Sequence, residues 1–351
     1  MNKEKRKSNI VFYLFLLVCI AYVIFYIWHM VKVSSKPKYN ADFKVGVVQT
    51  SDTDNVSYIT YYDKDLKNVY TQKISNGDLG ETYEAPQIAG NSVYMVPKRS
   101  NEGKDSKSVI ALDMKTGKKT SYSIGHLHST NLRVDANNIY TATSKDQELK
   151  LSKYIKSSKK TKSLTFSNTT LNCFKVSNSM LYAVLTTSDN KNILDIIDTK
   201  TMKVDSTVDL SSFKGQITDF VFTDTELYFI FTDDNSKGGL GSYNLVTKKT
   251  EVIDLTLEAP DQIARVNSSF VITSKTSNKV TVYNYAKNDV KTYELPTVPL
   301  LCKVTSTNLY YLDDTSIYMY DLKDFSLVKK EDVPIKTVNS NKQHLVTFFL
   351  K

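Results

Sequence analysis

The sequence of 351 residues lacks several features that mark common classes of protein. Its three cysteines, Cys19, Cys173 and Cys302, do not have the regular spacing of a disulfide framework, so we predict that the last two are buried free thiols. No stretch after residue 40 repeats apolar residues at helical spacing over a convincing length. Gly-x-Ser-x-Gly, the Walker phosphate loop, His-Glu-x-x-His and Cys-x-x-Cys are all missing. The sequence therefore argues against a helical domain and offers no ready catalytic motif.

The net charge of +9 is unevenly distributed along the chain. Residues 1–40 hold seven Lys and Arg against one Glu and contribute +6, which leaves only +3 for the remainder. Because the basic excess flanks an apolar segment, it reflects membrane topology, and we predict no nucleic-acid partner. Many surface lysines leave open a weak attraction to anionic cell-wall polymers.

Residues 8–31 carry no formal charge when His29 is neutral, and basic residues stand on both sides of them. We predict a cytoplasmic tail at 1–9, a transmembrane helix at 10–31 and a short polar stalk at 32–42. The basic N-terminus then lies inside the cell, and the rest of a single-pass plasma-membrane protein lies outside. Cleavage as a signal peptide, lipid attachment at Cys19 and a buried core helix remain as alternatives. The length of the apolar stretch and the lack of a helical partner favour the membrane span.

After the stalk, the chain repeats one short pattern: an apolar, tyrosine-rich strand ends in Asp or Asn, crosses a polar turn and returns as a second strand. The clearest copy is Ala111-Leu112-Asp113-Met114-Lys115-Thr116-Gly117-Lys118. The anchor residues lie between 37 and 50 residues apart and are Asp63, Asp113, Tyr154, Asp198, Asn244, Asn284 and Asp321. A repeat of this length built only from short strands is typical of a β-propeller blade.

Each repeat also has a first hairpin, whose second strand often carries an aliphatic-Tyr pair such as Leu181-Tyr182. Six complete blades follow at about 85–124, 131–166, 171–210, 217–255, 261–295 and 300–333. The segments 56–74 and 335–350 each supply one hairpin, and we predict that they join as a seventh blade. The fold class is therefore all-β: a seven-bladed propeller over residues 43–351, closed by pairing of N- and C-terminal strands. The strand-like stretch Phe43 to Thr50 has no assigned place.

The copy around Asp113 resembles the repeat of the quinoprotein-like propellers, and Ile196-Ile197-Asp198-Thr199-Lys200-Thr201 is a looser copy. The pattern also resembles that of the surface-layer YVTN-type propellers. The resemblance implies a fold, since the Asp and Gly117 form a hairpin turn. Quinone-binding members usually stack Trp against the cofactor, and the only Trp here is Trp28 in the apolar segment. We therefore expect neither a quinone nor any other small-molecule cofactor.

The pair His126 and His128 is the candidate metal site, because residues two apart on a strand face the same side. The competing interpretation is a polar loop between blades. Together with Arg99, Asn101 and Lys104, these histidines are also the candidate interaction loops.

The sequence favours a membrane-anchored extracellular propeller that binds a protein or cell-envelope partner without covalent chemistry. Two alternatives stay open: a surface hydrolase or lyase acting on polysaccharide, and a structural subunit of a surface or secretion complex. Catalytic residues of propellers come from scattered loops, so missing motifs do not exclude an enzyme.

Overall fold

The computed structural model describes residues 16–28, 39–51, 53–80, 85–100, 102–126, 129–233, 235, 237–274 and 276–351. The chain divides into two compact units, 1–39 and 40–351. In the first unit, residues 16–28 form helix α1, and its large apolar side chains are exposed. Within the described part of the chain, no helix has both the length and the apolar character needed to cross a bilayer. The predicted tail 1–9, the remainder of the span at 10–15 and 29–31, and stalk residues 32–38 lie outside the described residues.

In the described part of the second unit, the regular secondary structure is all β-strand, as predicted. Strands β1 to β16 are Val45–Thr50, Ser57–Tyr62, Asn68–Ile74, Gly77–Leu79, Gln87–Ala89, Ser92–Met95, Pro97–Arg99, Ser108–Asp113, Lys119–Ser123, Asn131–Val134, Asn138–Lys145, Glu148–Ile155, Lys160–Ser167, Thr169–Ser177, Met180–Thr187 and Asn192–Asp198. Strands β17 to β32 are Lys203–Asp209, Gln216–Phe222, Glu226–Thr232, Lys237–Asn244, Thr250–Glu258, Pro260–Val266, Ser269–Ser274, Lys279–Asn284, Asp289–Glu294, Leu301–Val304, Asn308–Leu312, Ser316–Asp321, Leu327–Asp332, Thr337–Val338, Asn341–Lys342 and His344–Leu350.

These strands form seven four-stranded antiparallel sheets, which are the blades of a propeller. Blade 1 is β5-β6-β8-β9, and blades 2 to 6 take four consecutive strands each, from β10 to β29. The first strand of each of these blades contacts that of its neighbour, so that these strands line the centre of the ring. The fourth strands, such as β17, are largely exposed and form the rim. Core side chains fill the spaces between successive blades.

Ring closure occurs as predicted, but with a different division of strands. Blade 7 has the order β3-β2-β1-β32, so the N-terminal region supplies three strands and the C-terminal region supplies one. Strand β1, which the sequence analysis left unassigned, is fully buried between β2 and β32. The predicted C-terminal hairpin over 335–350 is wrong because its first part is polar and forms only the small ribbon β30-β31, outside the blade.

Polar contacts reinforce this closure away from the sheet. The buried carboxylate of Asp54 accepts hydrogen bonds from Gln343 Nε2 at 3.1 Å and from Asn341 Nδ2 at 3.3 Å. Gln49 donates to the carbonyl of Pro334 at 3.0 Å and accepts from the amide of Lys336 at 2.9 Å. Each of these bonds joins the two ends of the described propeller chain, so closure depends on side chains as well as on the β1–β32 ladder.

The repeated Asp and Asn anchors cap the turn that follows them. Asp113 Oδ1 accepts the amide of Thr116 at 2.8 Å, and Asn244 Oδ1 accepts that of Thr247 at the same distance. In blades 1 and 3 to 6, the residue four positions after the anchor has a positive φ, which Gly117 adopts without steric cost. In blade 2 the corresponding amide-to-carbonyl bond runs from Lys159 to Ile155. The predicted anchor Tyr154 is therefore misplaced by one residue.

Candidate functional site

The predicted metal site is only partly described. His126 has a buried Nε2 atom that forms no hydrogen bond, and burial together with nearby Lys150 lowers the pKa of the imidazole. His128 lies outside the described residues, so the pairing of the two histidines stays a prediction. Among the residues that are described, no three His, Cys, Asp or Glu side chains gather closely enough to hold a metal ion.

The predicted interaction loop has two different kinds of basic residue. Arg99 Nε forms an ion pair with Asp78 Oδ2 at 3.2 Å, and its Nη1 donates to the carbonyl of Thr53 at 3.3 Å. These contacts join the ribbon β4-β7 to the loop after β1. Lys104 is exposed, and its ammonium pairs with Glu102 at 3.3 Å. Asn101 lies outside the described residues, and the role of this loop in binding stays a prediction.

A cavity of about 510 Å³ lies at the centre of the ring, lined by the first strands of blades 1 to 6. Its charged lining consists of three basic and two acidic residues, which are Arg133, Lys175, Lys303, Asp219 and Asp261. Amide and hydroxyl side chains such as Gln87, Asn172 and Thr218 fill much of the remaining wall. We call this cavity the channel.

The basic residues occupy one equivalent position in the repeat. In the register of each blade, Arg133 faces Tyr140, Lys175 faces Tyr182 and Lys303 faces Tyr310. In blade 5 the equivalent residue is Ala264, opposite Val271, since Ser269 pairs with the anchor Asn284 as Met180 pairs with Asp198 in blade 3. Gln87 and Val221 take this position in blades 1 and 4, opposite Tyr94 and Tyr228. Three of six equivalent positions are therefore cationic, and we call Arg133, Lys175 and Lys303 the basic tier.

Lys175 of the basic tier has a carboxylate partner. Lys175 Nζ lies 2.8 Å from Asp219 Oδ1 and also donates to the carbonyl of Phe220. Asp219 Oδ2 accepts the amide of Ile263 at 3.2 Å, which fixes this carboxylate between blades 4 and 5. Arg265, one residue from the equivalent position in blade 5 and outside the channel wall, pairs with the highly exposed Asp224 at 3.5 Å. The first pair is shielded from bulk solvent and the second is not.

Arg133 and Lys303 make the rest of the tier electropositive. Burial lowers the pKa of Arg133, while the negative charge of Asp219 acts in the opposite direction. Its guanidinium carbon lies 5.6 Å from the centre of the Phe174 ring. Burial and the charge of Arg133 lower the pKa of Lys303 to about 8. Among the described residues, the Lys303 ammonium forms neither a hydrogen bond nor an ion pair. The Lys303 side chain is half-buried, because the channel admits solvent.

Two thiols also lie in the channel wall. Cys173 and Cys302 are buried and free, which confirms the prediction from the sequence. Burial raises the pKa of both thiols, that of Cys302 to about 12. At neutral pH they are protonated and poorly nucleophilic, so they pack as small apolar side chains.

The sequence analysis missed the basic tier, although a signal was present. In the first strands, Leu132-Arg133-Val134, Phe174-Lys175-Val176 and Cys302-Lys303-Val304 share one pattern. An alignment of the repeats on the facing Tyr residues would have brought the basic positions together.

Comparison with known proteins supports the fold. No protein-family model matches the chain, and no curated protein does. The dihydro-heme d1 dehydrogenase NirN, solved in complex with DHE, is 12% identical over 86% of this chain and 68% of its own, with a TM-score of 0.58. A proposed 6-phosphogluconolactonase from Bacteroides fragilis is 11% identical over 89% of this chain and 98% of its own, with a TM-score of 0.60. At such low identity, the likeness shows the β-propeller fold alone.

Proposed function

We propose that the protein is a membrane-anchored binding module that takes up a protein or cell-envelope partner at the channel of its propeller. The observation that carries this proposal is the basic tier: three cationic side chains at equivalent positions around one channel. Charged side chains that converge on a cavity are the usual mark of a binding site. Because the channel is built from six blades, the site needs the whole ring.

Anchoring is supported by α1 and its flanks. Every residue from 16 to 28 is exposed and uncharged, and Leu17, Ile24 and Trp28 are each more than half exposed. A run of exposed apolar side chains of this size requires cover by lipid or by protein. Basic residues at the extreme N-terminus favour a cytoplasmic location for that end, with the propeller outside the cell.

A polysaccharide hydrolase or lyase is the second candidate. Asp219 and Asp261 both face the channel, and the pKa of Lys303, about 8, is close to that of a general base working near neutral pH. The ion pair between Asp219 and Lys175 weighs against this function, because it occupies one of the two carboxylates. Release of new reducing ends or unsaturated sugars from envelope polysaccharide, lost in Lys303→Gln, would favour this candidate over the first.

Photo-cross-linking in intact cells tests the binding module. A photoreactive amino acid replaces Gln216, an exposed residue of the channel wall, and in a matched control it replaces Ser121, which is exposed on the rim strand β9. We expect a specific cross-linked product at position 216 and none at position 121. No product at position 216, or the same products at both positions, would contradict binding at the channel.

A further inference from the structure

The charges along the channel are incompletely balanced within the protein. The channel wall has three basic and two acidic residues, and Asp219 is already bonded to Lys175 at 2.8 Å. Arg133 on β10 and Lys303 on β26 line the same cavity at equivalent positions of their strands, and the charge of Arg133 acts on the Lys303 ammonium. Two cations that face one cavity from equivalent positions form a receptor for negative charge.

We propose that the channel binds an oxyanion, a carboxylate or phosphate group of the partner, between Arg133 and Lys303. The inference rests on the proposed function and adds the chemical class of its ligand. An oxyanion has acceptor oxygens on more than one side, so it can accept hydrogen bonds from a guanidinium and an ammonium together. Amide side chains in the same wall, such as Gln87 and Asn172, suit the hydroxyl groups of a sugar or glycerol unit that carries the anion.

The cavity and its rigid frame suit such a ligand. A volume of about 510 Å³ falls within the range of about 300–1,000 Å³ that is common for small-molecule sites. Arg133 and Lys303 both lie on strands with a ladder partner, and Arg133 also stacks on Phe174. The positions of the two cations are therefore set by the blades before a ligand arrives, which lowers the entropy lost on binding.

Binding should be coupled to the protonation of Lys303. The other charged groups that line the channel with this ammonium are Arg133 on β10, Lys175 on β14, Asp219 on β18 and Asp261 on β22. A bound anion opposes the repulsion from Arg133 and so stabilises the protonated amine. Affinity should thus be highest below about pH 8, where Lys303 is charged, and should fall as the pH rises above that value.

Isothermal titration of the full chain in zwitterionic detergent tests this site. The probes are D-glucuronate for the carboxylate, inorganic phosphate for the phosphate, and D-glucose as the uncharged control. We expect one glucuronate or phosphate to bind per chain and no heat from glucose. Binding of glucuronate alone identifies a carboxylate ligand, and binding of phosphate alone identifies a phosphate ligand. Binding of neither anion, or of glucose as tightly as the anions, would overturn the proposal.

Three variants locate the site. We expect Lys303→Gln to weaken binding about tenfold or more, as the loss of a charge-assisted hydrogen bond does. The conservative Lys303→Arg should retain binding, and the surface variant Lys64→Gln, whose side chain is 85% exposed, should match the unaltered protein. Equal affinity in Lys303→Gln and the unaltered protein would refute the assignment. Thermal unfolding of each variant shows whether the ring is intact. If Lys303→Gln does not fold, the pH dependence of anion binding in Lys303→Arg tests the assignment instead.

The pH series uses glucuronate, because its carboxylate stays ionised throughout the range. Affinity should drop between pH 7 and 9 in the unaltered protein and stay constant in Lys303→Arg, whose guanidinium remains charged. An identical pH dependence in both proteins would contradict the role of Lys303. Absence of anion binding together with a specific cross-link at position 216 would overturn this inference and leave the binding module standing. Anion binding without any cross-link at position 216 would contradict the binding of a partner at the channel and leave the anion site standing.

Discussion

Replacing Phe349 by alanine should lower the free energy of unfolding by about 3–5 kcal/mol, the usual cost of truncating a buried aromatic side chain. Phe349 is fully buried in the closing strand β32 and meets the rings of Phe43 and Tyr61 edge-on, each with centroids 6.2 Å away. The variant therefore weakens the contact that joins the two ends of the propeller. Chemical denaturation of the full chain in detergent measures the effect, with Val246→Ala at a 74% exposed site as the control.

The same contact predicts a compensating pair of mutations. A Cβ atom added at Gly46 would lie 2.3 Å from Phe349 Cζ, so Gly46→Ala alone should destabilise the protein by about 1–3 kcal/mol through overpacking. In the Phe349→Ala background that clash is gone, and the added methyl group partly fills the cavity. We expect the double mutant to be more stable than the sum of the single effects predicts. Strict additivity would contradict the packing of β32 against β1.

Removing the carboxylate of Asp219 should have the second largest effect, a loss of about 3 kcal/mol for Asp219→Ala. Asp219 and Lys175 are only 19% and 22% exposed, and the mutation leaves Lys175 without this carboxylate in a channel that also holds Arg133. Removing both partners should cost less than removing Asp219 alone, because Lys175→Met takes away the unpaired charge. Equilibrium unfolding of the two single mutants and the double mutant gives the coupling energy.

The chain supplies its own control for this cycle. Asp224→Ala breaks the ion pair with Arg265, in which the aspartate is 94% exposed, and it should cost less than about 1 kcal/mol. High salt should reduce that small effect further, whereas the effect of Asp219→Ala should largely persist because the pair is shielded from solvent. Equal losses in the two Asp variants would show that the channel is as polar as the outer surface and would contradict its role as a binding site.

Local hydrogen bonding made the repeat readable from the sequence. Asp113 and its counterparts cap their turns through bonds that span only two to four residues, so the pattern repeats in each blade whatever its neighbours are. The ring closure was also predictable, since incomplete blades at the two ends leave complementary edges. Its strand division was not, because β1 shows no turn anchor and its place follows only from long-range pairing with β32.

The basic tier could not be predicted from any single strand. Lys175 and Lys303 stand at polar positions of alternating strands, and in a lone sheet such positions face solvent. Only the ring turns the first strands inward and brings these positions from separate blades to one cavity. The histidines drew attention because two lay close together in the sequence. The residues of the channel are close in space but lie about 40 residues apart along the chain.

Competitive acylation of lysines in the full chain, read by mass spectrometry, tests most directly whether the channel is a charged binding site. At pH 8 about half of Lys303 is neutral if its pKa is about 8, against roughly 0.4% of a lysine side chain with the ordinary pKa of about 10.4. We expect Lys303 to react with a small acetylating reagent about tenfold faster than Lys64 or more, and added glucuronate or phosphate to slow it selectively. A Lys303 that reacts no faster than Lys64 and is indifferent to both anions would contradict the account.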